Sequence, residues 1–412
     1  MGPETLAYPF LFLTIFFESF VLVTLLSGPA RLARKRAPGT SLPSVAIIIP
    51  CYNEATTIAR TVSSALALDY PKNKLEVILV DDGSTDGTPE AMERFRTNAQ
   101  IKIIRKENGG KHTALNAGIT ATNAELVGCL DADSFVEPDA LKEIISCFEN
   151  PKVAAATAAM SVSEPSNLLQ HMQNAEYIFG ITLRHTLSSV NGLYVTPGPF
   201  SFYRRTVIDT LGGFTYGHQT EDLEMALRIQ RAGYRIENAP RARVYTKAPH
   251  TVRRLVKQRT RWTTGFLRNT LFSYRDLIGN RRYGALGIIV LPIGIAAIVS
   301  GIGLFFLSFY LVGQRLVHSY LVHQGIPYDF SFPSGMPTFD WFYLPLTMYL
   351  LLMVITLAIT LSMITIGKRV SGTPGSLGRG IAGYVMLYGF MAPLWLMRAT
   401  ADVITGTKRG WK

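Results

Sequence analysis

The sequence predicts an α/β domain with a largely parallel sheet, joined to membrane-crossing helices. Three observations carry that prediction: short β-branched runs alternate with helical stretches between residues 45 and 130, long apolar runs flank this region, and charge is scarce. Asp, Glu, Lys and Arg make up 17% of the 412 residues, against ~25% in soluble domains. Apolar residues make up 48%, and 41 basic against 29 acidic residues leave a net charge of +12. So little charge excludes a disordered chain. Cys51, Cys129 and Cys147 are widely spaced and form no CxxC. They predict neither a disulfide framework nor a zinc site, and a reducing, cytoplasmic setting for the region that holds them.

The first apolar run, residues 6–30, carries one acid, Glu18. No basic segment precedes it, so it reads as a retained anchor rather than a cleaved signal. Glu18 is either a functional intramembrane acid or a group facing a neighbouring helix. Arg31, Arg34, Lys35 and Arg36 follow the run and place its end in the cytoplasm. Residues 45–49, 77–80, 101–104 and 126–130 then read as buried strands, with helices at 55–68, 89–98 and 113–121 between them. Such a sheet binds ligands beyond the carboxyl ends of its strands. The runs 284–314 and 341–367 contain no Asp, Glu, Lys or Arg and exceed the ~20 residues needed to cross a bilayer. They predict an outward span, an external loop at 315–340 and a return to Lys368, Arg369 and Arg379 inside. A fourth run, 380–397, is broken by Pro393. It reads as a further span or as a re-entrant or interfacial segment. The predicted divisions are an anchor with its basic flank (1–40), a cytoplasmic domain (41–250), an interfacial amphipathic region (251–283) and a C-terminal membrane region (284–412).

Polar residues gather where the strands end. The first strand runs into Pro50-Cys51-Tyr52-Asn53-Glu54, the second into Asp81-Asp82-Gly83-Ser84, and the fourth into Asp131-Ala132-Asp133-Ser134. Alternate residues of a flat strand point opposite ways, so Asp131 and Asp133 serve one hard cation such as Mg²⁺ only if the chain bends there. Lys111 follows Gly109-Gly110 at a helix start, where an ammonium and backbone amides suit a phosphate. In Thr220-Glu221-Asp222, Asp222 falls in the first turn of a helix that ends near Gly233. That position suits either a capping acid, which the helix dipole holds ionised, or a general base. In Gln258-Arg259-Thr260-Arg261-Trp262, the spacing puts Gln258, Arg261 and Trp262 on one helix face. The surrounding bases also suit anionic headgroups.

Taken in order, these motifs resemble those of the membrane-integrated family 2 glycosyltransferases, the group of cellulose, chitin, hyaluronan and poly-N-acetylglucosamine synthases. The resemblance covers about residues 43–265 and implies a GT-A fold using a UDP-sugar donor, UDP-GlcNAc or UDP-Glc, with Mg²⁺ or Mn²⁺. It implies that Tyr52, Glu54 and Asp82 hold the uridine, Lys111 the diphosphate, and Asp131 and Asp133 the sugar-nucleotide and metal. Asp222, beside Glu221, would be the general base; Gln258, Arg261 and Trp262 would close over the diphosphate and the acceptor sugar. Thr196-Pro197-Gly198-Pro199-Phe200 stands where the family has its acceptor loop, but departs from the cellulose and hyaluronan synthase patterns.

The expected reaction is inverting transfer to a growing β-linked polysaccharide, in the plasma membrane with the catalytic domain cytoplasmic. Partners are the nucleotide-sugar donor, a glycan acceptor and the lipid bilayer. A polyprenyl-phosphate acceptor is the nearest alternative, and a non-catalytic polysaccharide-binding protein is a further one. Nucleic acid is not an expected partner, since several of the bases sit beside the spans and follow from topology.

Overall fold

The structure, a computed structural model, describes residues 3–27, 42–324 and 347–407. The basic flank Arg31 to Arg36, most of the predicted external loop and the tail from Lys408 lie outside the described residues.

Strands β1 (Val45–Cys51), β2 (Leu75–Asp82), β3 (Ile101–Lys106) and β4 (Leu126–Cys129) lie parallel in the order β3-β2-β1-β4. The near-continuous apolar runs of β1 and β2 suit a sheet covered on both faces. Ile47 and Ile49 enter one core with Ile58 and Val62, whereas Ala46 and Ile48 enter the other with Ala114 and Leu115. The covering helices are α2 (Ile58–Leu66), α3 (Thr88–Glu93) and α4 (Lys111–Thr120), each inside or close to its predicted stretch.

The sheet extends beyond the parallel half as a mixed one. It adds β5 (Ser134–Val136), β6 (Val153–Val162), β7 (Ser201–Arg204) and β8 (Arg235–Thr246), for the order β3-β2-β1-β4-β7-β6-β8-β5. β7 runs antiparallel to both β4 and β6. Strand order reverses between β1 and β4, which opens a crevice at their carboxyl ends. The remaining helices of this region are α5 (Ala140–Cys147), α6 (Leu168–Ser189), α7 (Arg205–Leu211), α8 (Glu221–Arg231) and α9 (Val252–Arg268).

Among the described residues, four helical segments are long and apolar enough to cross a membrane: Thr5–Ser27, Leu286–Val322, Met348–Ser371 and Gly378–Ile404. Their α-helices are α1 (Tyr8–Ser27), α10 (Leu291–Val322), α11 (Met348–Ser371) and α12 (Gly378–Ile404). Helix α10 continues through Arg315 to Val322, so the start of the predicted loop is helical. Helix α12 passes through Pro393 without a break in its assignment. Its Gly383 lies against the Leu168 carbonyl of α6, and Trp395 packs with Met172 of α6 and Leu255 of α9. Glu18 faces a neighbouring helix: its Oε1 accepts a 2.6 Å hydrogen bond from Thr360 of α11.

Candidate active site

The loops after β1 and β2 are stitched together. Asn53, at a φ of 56°, accepts from the Thr85 amide at 2.8 Å, and its own amide donates to Ser84 Oγ at 3.1 Å. Glu54 accepts from Thr57 Oγ1 at 2.6 Å while its amide donates to Thr88 at 2.7 Å. Burial raises the Glu54 carboxyl above its ordinary value, against the Thr57 hydrogen bond. Tyr52 stays exposed at the cavity wall. Asp82 is buried and accepts from Lys106 Nζ at 2.6 Å and from the amides of Gly109 and Gly110 at 3.1 and 2.8 Å. Its carboxylate therefore pins the loop that delivers Lys111, the first residue of α4.

The chain bends after β4 as a shared cation site requires: the Ser134 amide donates to the Asp131 carbonyl at 2.9 Å, closing a turn over Ala132 and Asp133. Asp131 Oδ1 is 2.5 Å from Lys111 Nζ, which also lies 3.3 Å from Glu221. Burial opposes the Lys111 ammonium, but Asp131 foremost, with Glu221 and Asp222, holds it well above its usual range. Burial, then Asp131 and Glu54, pushes Asp133 up to about 6. Among the described residues no three His, Cys, Asp or Glu side chains form a metal cage. Asp131 and Asp133 are an open pair of hard oxygen ligands, the donor set that suits Mg²⁺ or Mn²⁺ when substrate phosphate and water complete the shell. The mutual repulsion at Asp133 is what a cation would relieve.

Asp222 falls in the first turn of α8, as predicted, and its Oδ1 accepts from the Leu223 amide at 2.8 Å. The helix start alone would lower this carboxyl, but burial reverses the direction of the shift. With Glu221 beside it, desolvation outweighs Lys111 and the amide and raises Asp222 to about 6. Thr196 Oγ1 donates to the Asp222 carbonyl at 2.8 Å, tying the Thr196–Phe200 loop to α8. Gly198 of that loop lies close to both charges: a Cβ there would stand 2.4 Å from Lys111 Nζ and 2.8 Å from Asp131 Oδ2, so a larger residue would displace their ion pair.

Helix α9 packs against the start of α8 through Gly265, where a Cβ would meet Thr220 Oγ1 at 2.3 Å. Asn269 reinforces the contact by donating to Thr220 Oγ1 at 3.1 Å. Gln258, Arg261 and Trp262 accordingly line the cavity, and Arg261 Nη1 donates to the Gln219 carbonyl at 3.1 Å. Arg259, singled out only as part of the motif, is buried and ion-paired with Glu176 of α6 at 3.0 Å. Its guanidinium stands over Trp262, 4.3 Å from the ring centroid, so one aromatic face is held by a cation.

All eleven residues singled out for a role, Tyr52, Glu54, Asp82, Lys111, Asp131, Asp133, Glu221, Asp222, Gln258, Arg261 and Trp262, line one cavity of about 1350 Å³. It continues past Trp262 to Phe266, Gly294, Ile298 and Leu396, reaching α10 and α12. Glu176, Arg184, Gly198 and Lys247 also line it and were not assigned roles from sequence. Only the glycine stood in a motif noticed beforehand; the others carry no local signal.

A crevice at a strand-order reversal, ringed by acids and flanked by a helix bearing Gln258, Arg261 and Trp262, defines a GT-A-like α/β domain joined to helices apolar enough to cross a membrane. Residues 46–212 match Glycosyl transferase family 2. The match covers less than half of the 412 residues. It is 33% identical over 239 residues to a poly-β-1,6-N-acetyl-D-glucosamine synthase from Staphylococcus epidermidis, covering 57% of each chain. A synthase of the same name from Staphylococcus aureus is 33% identical over 227 residues, covering 54% of this chain and 55% of the relative. The chain thus matches a little over half the length of these relatives. A mannosyltransferase from Pyrobaculum calidifontis, solved with GDP-mannose and Mn²⁺, shares the fold at 20% identity. Its TM-score is 0.67, covering 98% of this chain and 100% of that one.

Proposed function

We propose that the protein transfers a sugar from a UDP-sugar, UDP-GlcNAc before UDP-Glc, to a growing β-linked polysaccharide at the plasma membrane, with its α/β domain cytoplasmic. The observation that carries this reading is the convergence of all eleven residues on one cavity that runs from the strand ends to the apolar helices. The names of the staphylococcal relatives support GlcNAc as the sugar, and the Mn²⁺ complex of the mannosyltransferase supports a divalent metal.

In this reading Tyr52, Glu54 and Asp82 frame the uridine end, and Lys111 and Arg261 face the diphosphate. Asp131 and Asp133 would hold Mg²⁺ or Mn²⁺, which when bound offsets charge on the departing diphosphate. Asp222, ionised above about pH 6, takes the proton of the acceptor hydroxyl as that oxygen attacks the anomeric carbon. Direct attack by the acceptor oxygen, with no covalent sugar–enzyme step, gives inversion, hence a β-linkage from an α-linked donor. Glu221 and Lys111 set the charge around that base.

The test is UDP release by detergent-purified protein offered a panel of UDP-sugars with Mg²⁺ or Mn²⁺. UDP-GlcNAc is expected to turn over fastest, and the product should resist organic extraction until a glycanase digests it. No UDP release from any donor would overturn the reading.

A further inference from the structure

The chain enters α8 through a left-handed turn. Gly217, His218 and Gln219, the three residues before Thr220, have φ of 50°, 53° and 70°. Such backbone suits the glycine, where a Cβ would also stand 2.7 Å from Glu224 Cβ, but it is disfavoured for the histidine and the glutamine. Two such residues in succession persist only where their surroundings hold them, and conformations of this kind gather at active sites. The turn leads directly to Glu221 and Asp222, and Gln219, Thr220, Glu221 and Asp222 all line the cavity.

The hold comes from the far end of α9. Asn269 follows that helix at the start of a π-helical turn, Asn269–Ser273, a geometry frequent at functional sites. Buried there, its Nδ2 donates to the Gly217 carbonyl at 2.8 Å, to Thr220 Oγ1 at 3.1 Å and to the Gly265 carbonyl at 3.0 Å. Carbonyl oxygens only accept, so the amino side of the amide must face them. Thr220 closes the turn from within, its amide and Oγ1 donating to the same Gly217 carbonyl at 3.0 and 2.8 Å. Arg261 Nη1 adds its 3.1 Å contact to the Gln219 carbonyl, and His218 Nε2 lies 3.3 Å from Ser273 Oγ in an exposed contact.

We propose that Asn269 is a positioning residue for the base Asp222: by clamping Gly217 and Thr220 it fixes the left-handed turn, hence where α8 begins and where the Asp222 carboxylate meets the acceptor hydroxyl. Asn269 is buried and acts through the turn, not on the substrate. Thr196, which donates to the Asp222 carbonyl, braces the same turn of α8 from the other loop. Such a clamp matters because a misplacement of about 1 Å at a reacting group can cost ~10² in rate. The inference deepens the glycosyltransferase reading and rests on it for the role of Asp222.

The experiment uses the full chain in detergent and compares wild type, Asn269→Ala, and Asn269→Ala combined with His218→Gly. Asn269→Ala should lower kcat for sugar transfer roughly tenfold to a hundredfold, with KM for the UDP-sugar and affinity for UDP unchanged. Glycine adopts left-handed backbone without penalty, so adding His218→Gly should raise kcat several-fold above Asn269→Ala alone. Amide hydrogen exchange over residues 217–222 should quicken in Asn269→Ala and stay as in wild type over β1. A lower unfolding temperature with normal kcat would make Asn269 a structural group only and overturn the proposal. So would kcat and UDP affinity falling together, a double variant no faster than Asn269→Ala, or exchange over 217–222 that ignores the substitution. UDP release by wild type scores the donor reading separately: its absence would fail that reading, while the exchange measurement still decides whether Asn269 holds the turn.

Discussion

Asp222 carries the sharpest consequences of the proposed mechanism. Asp222→Asn keeps the shape and the amide contact but cannot take a proton, so transfer should fall by ~10² to 10⁴, with UDP affinity retained. Near-normal transfer would reduce the residue to the first turn of α8, where Asn substitutes for Asp with little loss. Because burial and then Glu221 raise this carboxyl to about 6, the active, ionised fraction declines as pH drops below that value. In wild type kcat/KM should decline about tenfold per pH unit there, and a profile flat to pH 5 would rule Asp222 out as the titrating base. Asp131→Ala or Asp133→Ala should abolish transfer and weaken UDP binding only when Mg²⁺ or Mn²⁺ is present. Full activity with a chelator would contradict the assigned pair.

The junction of α8 and α9 is where local sequence and catalysis meet. Gly265 lets the helix carrying Gln258, Arg261 and Trp262 touch Thr220, immediately before Glu221 and Asp222. Gly265→Ala would force its Cβ into Thr220, an overpacking that typically costs ~1–3 kcal/mol. Lower unfolding temperature and slower transfer are both expected, and a variant indistinguishable from wild type would mean that the two helices are not locked. Glu176→Gln acts differently. It should leave Arg259 without its ion pair, loosen the cation over Trp262 and raise KM for the acceptor more than for UDP-sugar, as initial-rate kinetics would show.

Across the molecule, the apolar helices are joined to the α/β domain by specific contacts. Gly367 of α11 sits where a Cβ would be 2.3 Å from the Ile178 carbonyl of α6, and α12 rests on α6 and α9. The proposed orientation puts the end of α10 outside. Gln324→Cys, at an exposed position, should react with an impermeant maleimide on intact cells, whereas exposed Gly87→Cys should react only after lysis. Cys51 and Cys129 are buried, so a Cys147→Ser background keeps the signal clean. The reverse labelling pattern would invert the topology.

The parallel half of the sheet and three of the apolar helices were legible in the sequence, and the eleven cavity residues were picked out by resemblance to a family's motifs. The strands and helices depend on local signals: β-branched runs, turn residues at strand ends and helical spacing. The sequence could not supply the antiparallel placement of β7 between β4 and β6, which is a pairing between distant segments. Nor could it show that Asp222 would be raised rather than lowered, since the helix start is local but the desolvation comes from the folded cavity. The Glu176–Arg259 pair joins residues 83 positions apart, on two different helices. These features arise on folding, because charge burial and close backbone approach are set by neighbours that are distant along the chain.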